Sequence, residues 1–185
     1  METAAASADR DPFALLSDLD ARVRAVRTED LGAASDQMWR GLAVRLRAAW
    51  FVVPQADVRE ILSLPPVTRV PGARTFLAGV ANLRGSLLPI TDLGLLAELP
   101  AAPENRERRV LVLNSNRIPA GFVVDGVGGY RSFAPEDQRH EWMRQAPVPQ
   151  QWLLGAFVRG AQAWPVLSLQ RVARSAEFGR AGIPA

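Results

Sequence analysis

From Gly41 to Leu167 the apolar residues of this chain come in short runs, each cut off by glycine, proline or Asn/Asp turn chemistry before it reaches the length of an ordinary helix. Leu42, Val44 and Leu46 alternate with Ala43, Arg45 and Arg47, the two-residue period of a half-buried strand. A weak turn at Ala48-Ala49 leads to a strand over 50–53, and Pro54 to Asp57 separates it from Val58 to Leu62, which is expected to carry Val58, Glu60 and Leu62 on one face. The proline-punctuated stretch SLPPVTRVPG precedes a short helix expected over 73–78. Strands over 79–83 and 86–91 then flank an Arg84-Gly85 turn, and Asp92 is placed to cap a helix over 93–98. A second β-rich half is expected from Arg109. It comprises RVLVL, a strand over 118–124 with Pro119 at an edge or bulge, an Asp125-Gly126 hairpin turn, and a strand over 127–133. A last hairpin over 153–167 turns at Arg159-Gly160, and a helix over 168–177 closes the domain. Many short strands with regular turn signals point to a mainly β protein built as small barrels.

The two halves echo each other. PITDLGLL (Pro89 to Leu96) and PVLSLQRV (Pro165 to Val172) both follow a strand, keep the proline and lead into a helix, which suggests two small barrel lobes of related design. Ahead of them, residues 1–12 are small and polar and are expected to be disordered. Asp11-Pro12 has the form of an N-cap followed by proline at the first helical position. Phe13, Leu15, Leu16, Leu19, Val23 and Val26 follow at helical spacing, the pattern of an amphipathic helix. The expected organisation is therefore a disordered start (1–12), helix and linker (13–38), a domain (39–177) and a flexible tail (178–185).

Composition removes several functional classes. The chain has no cysteine, hence no disulfide framework, thiolate metal site or cysteine nucleophile. Its single histidine, His140, lies in a polar stretch, and no H-E-x-x-H, G-x-S-x-G or phosphate-binding loop is present. No catalytic residue, cofactor or metal is assigned. The pI near 10.7 resembles a nucleic-acid signal, but the net charge is only +3: every basic residue besides His140 is arginine, interleaved with acid as in NRERR. A nucleic-acid binder more often shows a basic stripe with little acid in it. The alternative of a barrel binding single-stranded nucleic acid rests on five tryptophans and the arginines. Trp50, Trp152 and Trp164 fall in predicted strands, where burial is the default. No apolar run has the length of a membrane span and the first residues lack a secretory pattern, so a cytoplasmic protein is expected.

Three motifs in order carry a resemblance to a known family. GVANLRGSLLPITDL (Gly79 to Leu93) holds Asn82, Arg84, Gly85, Pro89, Asp92 and Leu93 at the positions that are fixed in CheW-like domains. VREIL (Val58 to Leu62) matches the family's V-x-E-I strand, and AGFVVDGVGGY (Ala120 to Tyr130) its G-I-V-V-D-x-V segment. From about Trp39 to Arg174 the chain resembles this family. The leading helix and WRGLAVRL look most like the adaptors of type IV pilus (twitching motility) chemosensory systems. The resemblance implies two SH3-like β-barrel lobes and a non-catalytic adaptor. Its implied partners are the cytoplasmic tip of a methyl-accepting chemoreceptor and the regulatory domain of a CheA-type histidine kinase, with recruitment to membrane-bound receptor arrays. It further implies receptor binding through Val58, Glu60, Asn82, Arg84 and Gly85. One departure stands out: Leu167-Ser168-Leu169 occupies a motif that often holds an aspartate.

Overall fold

The computed structural model describes residues 38–103 and 105–180. The helix and linker expected over 13–38, apart from Met38, lie outside the described residues, as do the start of the chain and most of the tail. The described chain forms two five-stranded sheets. One contains β1 (Trp39–Leu46), β2 (Ala49–Pro54), β8 (Gly126–Phe133), β9 (Leu153–Arg159) and β10 (Gln162–Leu167), in the order β8-β1-β2-β10-β9. The other contains β3 (Val58–Ser63), β4 (Leu77–Leu83), β5 (Ser86–Asp92), β6 (Arg109–Leu113) and β7 (Gly121–Val124), in the order β3-β6-β7-β5-β4. We call the lobes built on them lobe A and lobe B.

The two sheets share one wiring. Read as β3, β4, β5, β6, β7 in lobe B and as β8, β9, β10, β1, β2 in lobe A, corresponding strands occupy corresponding places. The directions agree as well: every pairing is antiparallel except β5 with β7 and its counterpart β10 with β2. Lobe A is thus a circularly permuted version of lobe B. β5 and its counterpart β10 each end in a cap and a short helix. Asp92 accepts from Leu95 N at the start of α1 (Leu93–Leu96), and Ser168 accepts from Arg171 N at the start of α2 (Leu169–Ala173). The echo seen in the sequence is this repeated unit.

Burial explains why β2, β6 and β7 read as continuous apolar runs. Phe51 and Val53 face the core between the lobes, whereas Val52 faces the interior of lobe A. Leu111, Leu113, Phe122 and Val124 face that same shared core, whereas Val110, Val112 and Val123 fill lobe B. A strand buried on both faces has no polar side to alternate. Each fully buried Val, Leu or Phe contributes about 1.5–3 kcal/mol of burial free energy. The edge strands meet as well. Phe133 on β8 stacks on Phe157 of β9 at 4.7 Å, closing lobe A. In lobe B, Leu62 of β3 and Leu83 of β4 pack on the same interior cluster, bringing the two edge strands together.

Several expectations need correction. The second half does not begin a new lobe at Arg109, because β6 pairs with β3 in lobe B. Asp125-Gly126 is not a hairpin turn: β7 ends in lobe B, β8 begins in lobe A, and the chain crosses between lobes there. Local turn chemistry cannot distinguish these outcomes, since both need a tight, polar bend. No helix forms over 73–78. Gly72, at φ 74°, makes a turn, and Leu77 already belongs to β4, whose edge accepts Thr68 as a bridge partner opposite Val80. The strand expected over 118–124 starts only at Gly121. The turn after β1 falls at Arg47-Ala48, with Arg47 at φ 56°. The closing helix is two pieces, α2 and α3 (Ala176–Gly179), because Ser175 caps the second. Trp152 lies in a 3₁₀ turn before β9, yet is fully buried.

Candidate functional site

The β4–β5 hairpin closes with a two-residue loop, Leu83 pairing with Ser86. Arg84 and Gly85 both take positive φ, 51° and 85°. Glycine takes this conformation at no steric cost, whereas for Arg84, whose side chain has a Cβ, it is the less common choice. The Asn82 side chain compensates. Its Oδ1 accepts from Gly85 N at 2.9 Å, bracing the turn from inside. Asn82 therefore has a structural role in the turn.

Arg84 donates to Glu60 Oε1 at 2.8 Å. The two residues come from opposite margins of the same sheet, β3 and the β4–β5 turn, so the pair spans the seam of lobe B. Arg84 remains 78% exposed while Glu60 is 22% exposed. An ion pair so open to solvent contributes about 0–1 kcal/mol. Its main effect is positional: it holds a guanidinium, with most of its donors free, at the rim of a groove. That groove, about 490 Å³, has Arg59, Glu60, Arg84 and Asn116 on its margin and apolar surface from Leu87 and Pro119, among others.

Val58 stands apart. A bulge at Arg59 shifts the register, so that Val58 pairs with Leu113 and Glu60 with Val112. Val58 consequently packs on the core between the lobes, while Leu62 packs inside lobe B. The expectation that Val58, Glu60 and Leu62 share a face fails for Val58, because one extra residue reverses the side-chain direction. The structure therefore brings together Glu60, Arg84, Gly85 and Asn82, with Val58 half-buried on the other face of β3.

Leu87 was missed by the sequence reading. At 72% exposure it is the most exposed of the large apolar side chains among the described residues. The signal was present: in SLLP, Leu88 points into lobe B, so the period of two sends Leu87 outward. Arg59 was also missed. Its guanidinium donates to Ser115 O at 2.8 Å across the groove.

A second polar cluster lies at the lobe junction. Asp125, 2% exposed, accepts from Arg47 N at 2.6 Å and from Arg47 Nη1 at 2.8 Å. Arg47 also reaches Asp92, and Arg108 pairs with Asp92 and approaches Asp125 at 3.7 Å. Asp92 is thus a helix cap, as expected, and an ion-pair partner in addition. Gly94 leaves room for the cluster, since a Cβ on it would lie 2.5 Å from the Arg47 guanidinium and displace it. On the opposite side of the chain's path, Ser168 donates to Asp57 Oδ2 at 2.9 Å, and Gln170 N donates to the same oxygen. Two arginines facing two aspartates, each held by backbone, form a structural clasp. The described residues contain no cluster of His, Cys, Asp or Glu suited to a metal ion.

The CheW-like domain model matches residues 40–177 of this chain. The chain belongs to the CheW-like domain family. Protein PilI of Pseudomonas aeruginosa is 38% identical over 169 residues, covering 90% of this chain and 94% of that protein. The chemotaxis protein CheW of Klebsiella aerogenes is 29% identical over 65% of this chain and 73% of its own length. That of Helicobacter pylori is 36% identical over a shorter stretch, 40% of this chain and 46% of that protein. The crystal structure of the scaffolding protein TtCheW from Thermoanaerobacter tengcongensis superposes with a TM-score of 0.63 at 18% identity, covering 71% of this chain and 84% of that one. That likeness shows the two-lobed CheW-like fold.

Proposed function

We propose that this CheW-like chain is a non-catalytic adaptor coupling a methyl-accepting chemoreceptor to a CheA-type histidine kinase, in a system that controls type IV pilus twitching motility. Residues Glu60, Asn82, Arg84 and Gly85, with Val58 behind them, form the receptor-binding element in this reading. The observation that carries it is Arg84, held by Glu60 over an open groove on a turn that Asn82 braces. A receptor tip built as a helical hairpin needs such a surface: an apolar trough for one helix face and a few polar anchors that fix register. Leu87 supplies the apolar anchor and Arg84 the donor for a carboxylate or carbonyl. The near full-length similarity to PilI supports the pilus assignment. Function in the cytoplasm, at membrane-bound arrays, follows from the same reading. No described helix is long and apolar enough to cross a membrane.

The rival reading, a barrel that stacks single-stranded nucleic acid, finds less support. Such a protein presents successive aromatic faces along a groove. Here Trp39 packs on Phe157 at 5.0 Å and Trp50 lies 6.1 Å from Trp164. Tyr130 is the single aromatic among the largely exposed apolar side chains of the described residues.

The test is a binding assay of the full chain against a cytoplasmic receptor fragment. Arg84→Ala should weaken binding at least tenfold (about 1.4 kcal/mol), while the melting midpoint moves by no more than about 3 °C. Wild-type affinity in the variant would refute the site. A large midpoint loss with binding intact would leave Arg84 a purely structural residue.

A further inference from the structure

In an unbroken strand, neighbouring side chains point to opposite faces, so adjacent residues do not ordinarily line one cavity. Arg59 and Glu60 do: both line the groove beside the Arg84 corner. The bulge in β3 is the cause. Val58 pairs with Leu113 and Glu60 with Val112, which leaves Arg59 as the extra, unpaired residue. A bulge bends its strand and re-aims the side chain that it carries. The loop after β6 then holds that side chain. Arg59 Nη2 donates to Ser115 O at 2.8 Å and lies 3.4 Å from Asn116 Oδ1. Ser115 Oγ accepts from Arg117 N and Ile118 N, which fixes the loop that supplies the carbonyl.

The Arg59 guanidinium is anchored but not neutralised. One terminal nitrogen meets the two loop oxygens, and among the described residues no carboxylate pairs with it. Arg84 differs, since Glu60 matches its charge at 2.8 Å. Arg59, Glu60 and Arg84 are the charged side chains that line the groove. Glu60 cancels Arg84, so the net positive charge of the groove is that of Arg59. The exposed Leu87 lines the same groove. An apolar side chain beside an unmatched guanidinium complements a partner segment whose apolar stripe is flanked by a carboxylate. Arg59 fills the unspecified position of V-x-E-I, so this charge belongs to the chain and not to the motif.

We infer that Arg59 is a specificity-determining residue of the groove. Resting on the receptor-binding reading above, it selects a receptor helix that carries a carboxylate next to its apolar stripe. A purely structural Arg59 would only tie β3 to the loop after β6. Arg59→Gln separates the two roles, because its amide keeps N–H donors for Ser115 O and loses the charge. Arg59→Lys keeps the charge and loses the planar fork.

The experiment measures affinity and association rate of the full chain with a purified cytoplasmic receptor fragment, at ionic strengths of about 0.02 M and about 0.5 M. Between these the screening length shrinks from roughly 20 Å to roughly 4 Å. Arg59→Gln should weaken binding about three- to tenfold at the lower ionic strength, mainly through slower association, and should match wild type at the higher one. Arg59→Lys should keep most of the wild-type affinity throughout. Arg59→Gln affinity equal to or above wild type at low ionic strength overturns the inference. So does a loss that persists undiminished at high ionic strength, or one that Arg59→Lys shares in full, since either marks a structural tie. In all these cases a loss of binding in Arg84→Ala leaves the receptor site standing. A wild-type chain that does not bind the fragment refutes the receptor reading and this inference with it.

Discussion

Asp125→Asn removes one charge from the lobe junction without changing side-chain size. In the native cluster Arg47 and Arg108 face Asp92 and Asp125, and the four charges cancel. Arg47 is 16% exposed and Arg108 15%. With Asp125 neutral, both guanidinia must share Asp92 in a largely dehydrated site. Breaking a buried ion pair by removing one partner costs about 3–5 kcal/mol. Asparagine can still accept from Arg47 N, and Arg47 keeps the Pro100 carbonyl, so the lower end applies, about 3 kcal/mol. For a urea m-value of about 2 kcal/mol/M, the unfolding midpoint falls by roughly 1.5 M. Arg47→Ala combined with Asp125→Asn restores neutrality around the Arg108–Asp92 pair. The double variant should therefore be more stable than the sum of the single losses predicts, by about 1 kcal/mol or more. The assay is equilibrium urea unfolding followed by tryptophan fluorescence. A midpoint within about 0.3 M of wild type, or strict additivity in the double variant, would show that the clasp does not hold the lobes.

Three further outcomes follow from the same geometry. Ser168→Asp, which restores the residue often found in this motif, places a carboxylate beside Asp57 Oδ2, the oxygen that Ser168 now donates to at 2.9 Å; the melting midpoint should fall further than in Ser168→Ala, whose loss of that bond costs about 1–2 kcal/mol. Gly79→Ala should destabilise by about 1–3 kcal/mol in urea unfolding, because φ is 148° and a Cβ would lie 2.4 Å from the Thr68 carbonyl oxygen. Phe157→Ala removes the ring stacked on Phe133 at the seam of lobe A and should cost about 3–5 kcal/mol by the same assay.

Much of the Arg84 corner was legible in the sequence. Asn-x-Arg-Gly between two apolar strands specifies a tight turn, and glycine is the residue type that takes the positive φ of Gly85 without steric cost. The ion pair of Arg84 with Glu60 joins two motifs that lie 24 residues apart in the chain. Val58 was misplaced because a β-bulge leaves no mark in a run such as VREIL: the period of two is unbroken in sequence and reversed in space. Asp92 and Asp125 were read as a cap and a turn former. Their ion-pair roles were hidden because Arg47 lies far from either in the chain.

What local chemistry determined here is the set of pieces: short strands from period-two patterns, turns from glycine and Asx residues, and helix caps from Asp92 and Ser168. These depend on interactions within a few residues, which any segment carries with it. Which strand pairs with which was decided only in three dimensions. WFVV, RVLVL and GFVV have apolar residues on both faces, so neither face names its partner, and the same Asp-Gly that closes hairpins elsewhere here carries the chain across lobes. The core between the lobes, assembled from both sheets, resolves that ambiguity, since the permuted arrangement buries both faces of all three strands at once.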